Sequence, residues 1–330
     1  MSLLSRSTFV RAAGAIALGA AGVAPARADD AVNNVLIEND RWLLPAWQSL
    51  TTDDVAATNT VLDLIAETGK ILAGGGIGLL IASVPFKARY CPTLAPGSIS
   101  PAVNARYDRT QQALASRGLQ TVDLAAALQP VAAAGPVYYH TDQHWTTPAA
   151  EAAGSAVAAA IEQQWKLPAA GKPAPAAPLV ATKRFGDLAA LLPPARRDQI
   201  GMETFELRTA YDADMQGYDL FTGQTMPIPQ QGLVQLVGSS FVRPMWGMPQ
   251  KMTSLLGPNV GVTFFTGDAG PYHTLLMNLH TSVKKQRPTV IVWQLGEAQM
   301  HLGPSATDSW SMSSLMSADF FLSKVTAAVK

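Results

Sequence analysis

Apolar residues recur at near-helical spacing over residues 53–72, at Val55, Val61, Leu62, Ile65 and Ile71. That period predicts a helix, capped by Thr52 or Asp53 and ended by Gly74-Gly75-Gly76. Residues 77–84 follow as an apolar run, polar only at Ser83, between glycine and Pro85, the pattern of a strand buried on both faces. A second helix is predicted over 101–117, closed by Gly118, then a short strand over 119–124. Residues 148–165 form an alanine-rich helical stretch with Thr147 as its cap and Pro148 in its first turn. Further buried strands are expected at 233–237, 260–265 and 289–293, and helices at 272–285 and 313–329. Strands alternating with helices predict an α/β fold with a mostly parallel sheet. No internal repeat is present.

Two segments fall outside that alternation. Residues 167–178 hold four prolines and five alanines and read as an extended surface loop within one domain, or as a linker between two. At the other segment, Arg6 and Arg11 bracket a positive start, residues 12–24 are small and apolar, and Ala26-Arg27-Ala28 precedes Asp29-Asp30. This is the layout of a secretory signal peptide over 1–28, cleaved after Ala28, with an uncleaved anchor as the alternative. The remaining domain is 29–330. Export places the protein in the periplasm, where a chain with one cysteine, Cys91, is held by its core and not by disulfides.

Composition narrows the function. Hydrophobic residues make up 48% and charged residues 15%, which excludes disorder. Lys plus Arg and Asp plus Glu are both 24, so no basic field exists to hold a phosphate backbone and no nucleic acid is expected as partner. The glycines at 74–76 and 78 precede a strand, whereas a phosphate-binding loop runs from strand to helix, so they read as a turn.

Chemistry concentrates in two places. Tyr138-Tyr139-His140-Thr141-Asp142-Gln143-His144-Trp145 precedes a helix, and Gly238-Ser239-Ser240-Phe241 ends an apolar strand. Catalytic groups in open α/β sheets sit beyond the carboxyl ends of strands. A serine hydroxyl needs a neutral histidine to take its proton, and that histidine needs an acid to hold its tautomer. Asp142 and His144 are close enough for one local turn to join them. Two other readings of this loop stand beside that one. In the first, Asp142 caps backbone amides while His144 packs on Trp145. In the second, His140, Asp142 and His144 hold a metal, although the acidic residues that orient metal-bound imidazoles are sparse nearby. The tryptophans divide between core packing and a possible sugar-stacking face.

At these residues the chain resembles the periplasmic alginate O-acetyltransferases and their cellulose-acetylation relatives, which are SGNH-hydrolase-like proteins. Thr141-Asp142-Gln143-His144-Trp145 is similar to their Thr-Asp-x-His-Trp signature, and Gly238-Ser239-Ser240-Phe241 to their Gly-x-Ser-aromatic block. Four supporting segments occur in the family's order: 39–43 (Asn-Asp-Arg-Trp-Leu), 84–89 (Val-Pro-Phe-Lys-Ala-Arg), 186–188 (Gly-Asp-Leu) and 292–297 (Val-Trp-Gln-Leu-Gly-Glu). The resemblance implies Asp142 as orienting acid, His144 as general base and Ser240 as nucleophile. It implies a sheet flanked by helices, with the catalytic blocks in permuted order relative to ordinary SGNH hydrolases. It calls for no cofactor and no metal. It implies an exopolysaccharide substrate and a membrane-bound acyltransferase that supplies acetyl groups. Gln294 stands where the family commonly has an acid and Gly296 where it has proline. A carbohydrate esterase of the same fold and a non-catalytic polysaccharide-binding scaffold are the rival functions.

Overall fold

A computed structural model describes residues 32–39, 41–168, 178–208, 232–257, 260–265 and 267–330. The expected signal peptide, Asp40 and most of the Pro/Ala-rich loop lie outside these residues. In chain order the elements are β1 (Val35–Glu38), β2 (Trp42–Pro45), α1 (Val55–Gly74), β3 (Gly78–Val84), α2 (Pro101–Asn104), α3 (Arg106–Ser116), β4 (Gln120–Val122), α4 (Leu124–Ala134) and α5 (Thr147–Gln164). Then come β5 (Val180–Arg184), α6 (Asp187–Leu191), α7 (Pro194–Ile200), β6 (Glu203–Leu207), β7 (Val234–Gly238), α8 (Met248–Leu256), β8 (Val260–Phe264), α9 (Gly270–Ser282), β9 (Val290–Gly296) and α10 (Ala318–Val329).

The central sheet has the order β4-β3-β9-β7-β8, and every neighbouring pair in it is parallel. Side chains alternate between its two faces. Leu80, Ala82, Leu236 and Val292 join a cluster with Leu128 of α4, Val157 of α5 and Met252 of α8. Leu79, Ile81, Val237 and Trp293 pack on the other face against Leu62 of α1, Leu275 of α9 and Phe321 of α10. Helices on both faces bury the sheet, which is why its inner strands read as largely apolar runs. Two antiparallel two-stranded sheets, β1–β2 and β5–β6, stand apart from it, the second pair joined through α6 and α7.

Several boundaries differ from the sequence expectation, each for a local reason. The first cap is Asp54, whose carboxylate accepts from the Ala57 amide at 2.9 Å. The expected helix over 101–117 is two helices separated at Ala105, the first capped by Ser100. The strand expected over 119–124 stops at Val122 because Asp123 caps α4, accepting from the Ala126 amide at 3.0 Å. Thr147 is the first residue of α5 and not its cap, which is Thr146. The last helix begins at Ala318, where Ser317 accepts from the Phe320 amide at 3.1 Å. The glycine run is a turn, with Gly76 at φ +75°.

Candidate active site

Three strand ends of the central sheet converge on one cleft. Val84 ends β3 and Pro85 follows it, Ser239 and Ser240 follow β7, and Gly296 ends β9 with Glu297 and Ala298 after it. Ligands in open parallel sheets bind at this edge.

The nucleophile candidates sit on a braced turn. Ser239 is extended, and Ser240 starts a single 3₁₀ turn over Ser240–Val242. Gly238 is required here by close approach, since a Cβ would lie 2.5 Å from Oε1 of Gln294 and 2.8 Å from its Cβ. That closeness, and not a left-handed backbone, is the reason for glycine. Oε1 of Gln294 accepts from the Ser239 amide at 2.8 Å and from its hydroxyl at 3.0 Å. Two indoles hold the carbonyls of the turn: Trp246 Nε1 donates to Ser240 O at 2.9 Å and Trp145 Nε1 to Phe241 O at 3.0 Å. The two adjacent serines therefore face different partners. Ser239 is spent on Gln294, while Ser240 Oγ lies 2.6 Å from His144 Nε2.

The loop carrying Asp142 and His144 closes on itself before α5. Thr146 N donates to Val137 O at 2.8 Å, Tyr139 N donates to His144 O at 3.2 Å, and Tyr138 pairs with Trp145. Asp142 is fully buried. Its Oδ1 lies 2.6 Å from His144 Nδ1 and accepts from the His144 amide at 2.9 Å. Its Oδ2 accepts from the Asp187 amide at 2.9 Å and from Arg184 Nη2 at 3.3 Å. Burial alone would raise the Asp142 carboxyl, but the imidazole, the guanidinium and the amide together hold it well below the usual carboxylate range. His144 stacks on Trp246, with centroids 4.9 Å apart and planes at 23°, and also meets Phe241. The capping reading of Asp142 is thus true alongside its contact with the imidazole, and the packing partner of His144 is Trp246 in place of Trp145.

The metal reading of His140, Asp142 and His144 does not survive the geometry. His140 turns away, edge-on to Trp42, with Nδ1 3.3 Å from Glu203. Asp187 takes its place beside the pair, its Oδ2 3.4 Å from His144 Nδ1. Arg184 lies within 3.6 Å of both carboxylates and supplies the positive charge that a cation would bring. Burial and the neighbouring Asp142 charge push the Asp187 carboxyl upward.

Several residues around the site carried no role in the sequence reading. Glu203, at the start of β6, accepts from the His140 and Thr141 amides at 2.9 Å each and from the Thr141 hydroxyl at 2.8 Å. Gly186 lets the segment before α6 approach the same loop, since a Cβ there would lie 2.3 Å from Thr141 O. Lys87 is fully buried, and its Nζ donates to Leu43 O at 2.5 Å and to His140 O and Asp142 O at 2.8 Å each. Three protons meet three carbonyls, two of them on the Asp–His loop. Lys87 and Asp187 lie in segments that match the family pattern, which is the signal that marks them.

Lys87→Met removes these three bonds and leaves buried carbonyls short of donors, with an expected destabilisation on the order of 3 kcal/mol. Its pH signature has a definite sign. Burial pushes the Lys87 ammonium from 10.5 down to about 7. Between those values the unfolded chain binds more protons than the folded one, so this group makes stability rise with pH. Thermal melts at pH 7 and pH 9 should show wild type gaining on Lys87→Met as pH rises. An equal response of both proteins contradicts this.

Comparison with known proteins places the fold. A family model described as "SGNH hydrolase-like domain, acetyltransferase AlgX" matches residues 35–297. The chain is 28% identical over 282 residues to a probable alginate O-acetylase AlgJ of Azotobacter vinelandii, covering 80% of this chain and 69% of that protein. It is 25% identical over 291 residues to a protein of the same description from Pseudomonas aeruginosa, covering 83% and 71%. Among solved structures, the O-acetyltransferase domain of Pseudomonas putida AlgJ superposes with a TM-score of 0.67 at 24% identity, covering 89% of this chain and 99% of that one. Pseudomonas aeruginosa AlgX superposes with a TM-score of 0.56 at 16% identity, covering 83% and 67%. Both structural likenesses bear on fold. The match over most of the chain shows that it belongs to the SGNH hydrolase-like family of the acetyltransferase AlgX.

Proposed function

We propose that the protein is an O-acetyltransferase that moves acetyl groups onto hydroxyls of a secreted polysaccharide through an acetyl-serine intermediate on Ser240. The observation that carries this reading is the unbroken line from Ser240 Oγ through His144 to Asp142, with both contacts at 2.6 Å. As Ser240 Oγ attacks the carbonyl carbon of an acetyl ester donor, its proton passes to His144 Nε2. The donor's ester bond breaks, and the departing oxygen takes that proton. A sugar hydroxyl then gives its proton to Nε2 as its oxygen attacks the acetyl-serine. The bond between the acetyl carbon and Ser240 Oγ breaks, and Oγ recovers the proton from Nε2. Asp142 stabilises the imidazolium formed in each half. Negative charge on the carbonyl oxygen needs fixed donors. The Ser240 amide donates no hydrogen bond among the described residues and lies at the reacting atom.

The reading extends to the whole chain. Residues 29–330 act as one acetyltransferase domain in the periplasm after loss of the 1–28 leader, and a membrane-bound acyltransferase delivers the acetyl group. The leader pattern and the family support this placement. Among the described residues no helix is long and apolar enough to cross a membrane.

The test is to incubate purified protein with p-nitrophenyl acetate, with and without an oligosaccharide, and to examine the sugar by mass spectrometry. Acetylated sugar is expected. Release of p-nitrophenol and acetate with no acetyl on any sugar identifies an esterase, and no turnover at all identifies a binding protein.

A further inference from the structure

The cleft that holds Ser240 has a composition that bears on which sugar it accepts. Trp47, on the turn after β2, lines it and is 44% exposed, an unusual position for so large an apolar ring. Gln48, Gln143 and Gln299 line it as well. Oε1 of Gln48 accepts from the Lys87 amide at 3.3 Å, and its Nε2 has no partner among the described residues. The side chains of Gln143 and Gln299 make no hydrogen bond among the described residues.

Among the described residues no lysine or arginine lines this cleft. The acidic side chain among the described residues of its wall is Glu297, buried, with Oε1 accepting from Arg89 at 3.1 Å and Arg106 at 3.3 Å and Oε2 from the Phe86 amide at 3.0 Å. The cations around the site have partners of their own. Arg89 and Arg106 meet Glu297, Lys87 spends its protons on three carbonyls, Arg184 is paired with Asp142 and Asp187, and Arg243 lies over the Phe264 ring.

From this we infer that the cleft is an acceptor subsite for an uncharged pyranose, with Trp47 as stacking platform and Gln48, Gln143 and Gln299 as hydroxyl-reading amides. The inference rests on the proposed acetyl transfer and specifies its acceptor. The apolar face of a sugar ring covers an indole well, while amides donate to and accept from hydroxyls at the ring edge. A uronic acid would bring a carboxylate that must lose water without meeting a cation, which is costly. Sites built for carboxylates present arginine or lysine for this reason. The curated relatives matched by this chain carry alginate in their names, so the inference separates this chain's acceptor from theirs.

Binding and transfer are measured separately, so that failure of the subsite and failure of the triad give different results. Isothermal titration of the full-length protein with neutral cello- and manno-oligosaccharides and with oligomannuronate of equal length reads the subsite without turnover. Neutral oligosaccharides should bind about tenfold more tightly than oligomannuronate. Trp47→Ala should weaken neutral binding by about tenfold, and Trp47→Phe should restore much of it. With p-nitrophenyl acetate as donor, the same order should appear in acceptor KM. Equal or tighter binding of oligomannuronate, or unchanged neutral binding in a Trp47→Ala protein of wild-type melting temperature, overturns the inference. Normal neutral binding without acetyl transfer counts against the triad and leaves the subsite standing.

Discussion

Ser240→Ala should lower turnover of an acetyl ester by on the order of a thousandfold or more, the scale seen when a triad nucleophile is removed. The variant should fold as wild type does. A hydroxyl contributes only about 1 kcal/mol to stability, and the turn keeps its other supports, because the indole of Trp246 bonds the Ser240 carbonyl and not its side chain. Ser239→Ala is the matched control. Its hydroxyl is one of two donors to Gln294 Oε1, and the backbone amide remains as the other, so most activity should persist. The pair of variants, shown to melt at equal temperatures, is assayed on p-nitrophenyl acetate and probed with a serine-reactive phosphonate. An active Ser240→Ala protein, or a label on Ser239, contradicts the assignment.

Asp142→Asn tests the other end of the line and should also cost on the order of a thousandfold to ten-thousandfold. An asparagine keeps the volume but not the charge. If its NH₂ faces His144 Nδ1, the imidazole proton moves to Nε2, where it blocks acceptance of the Ser240 proton. If its oxygen faces Nδ1 instead, the tautomer survives but the imidazolium loses its counter-charge. Asp187 stands 3.4 Å from the same nitrogen, and combining Asp187→Asn with the first substitution shows whether it sustains any residual rate. A stability effect accompanies the kinetic one. The Asp142 carboxyl is held well below its unfolded value, so its stabilising contribution is complete above about pH 3.9 and fades as pH falls toward the folded value. The acid side of the melting curve should therefore be flatter in Asp142→Asn than in wild type. Wild-type kcat in a well-folded variant would remove Asp142 from the mechanism.

The parts of the fold that were legible in the sequence are those buried on both sides. Residues 77–84 and 233–237 are largely apolar, each with a single polar residue (Ser83 and Gln235), because helices cover both faces of the sheet, and they appear as β3 and β7 within a residue of expectation. The antiparallel pair β5–β6 was not legible. Val180-Ala181-Thr182-Lys183-Arg184 is largely exposed and has no apolar face to betray a strand, yet its register sets Arg184 opposite Glu203. Both ends of that rung serve the site, one on Asp142 and the other on the His140–Thr141 amides. The helix α4 was hidden by Pro130 in its interior. At the site, Asp142, His144 and Ser240 were proposed from short motifs, and the structure brings their side chains together. Lys87 could not be assigned from its type, since lysine ordinarily marks a surface, and only the convergence of three carbonyls gives it a place. The stacking of Trp246 on His144 joins residues whose approach depends on the tertiary fold alone.

The central claim is that Ser240 carries the acetyl group between donor and sugar. Rapid acid quench of the protein with p-nitrophenyl acetate, followed by proteolysis and mass spectrometry, tests it most directly. The predicted result is one acetyl group on the peptide containing Ser240, mapped to that residue by fragmentation, absent from Ser240→Ala and discharged when oligosaccharide is added. Turnover with no acetylated peptide at any quench time, or an acetyl group on another residue that is discharged at the same rate, would contradict it.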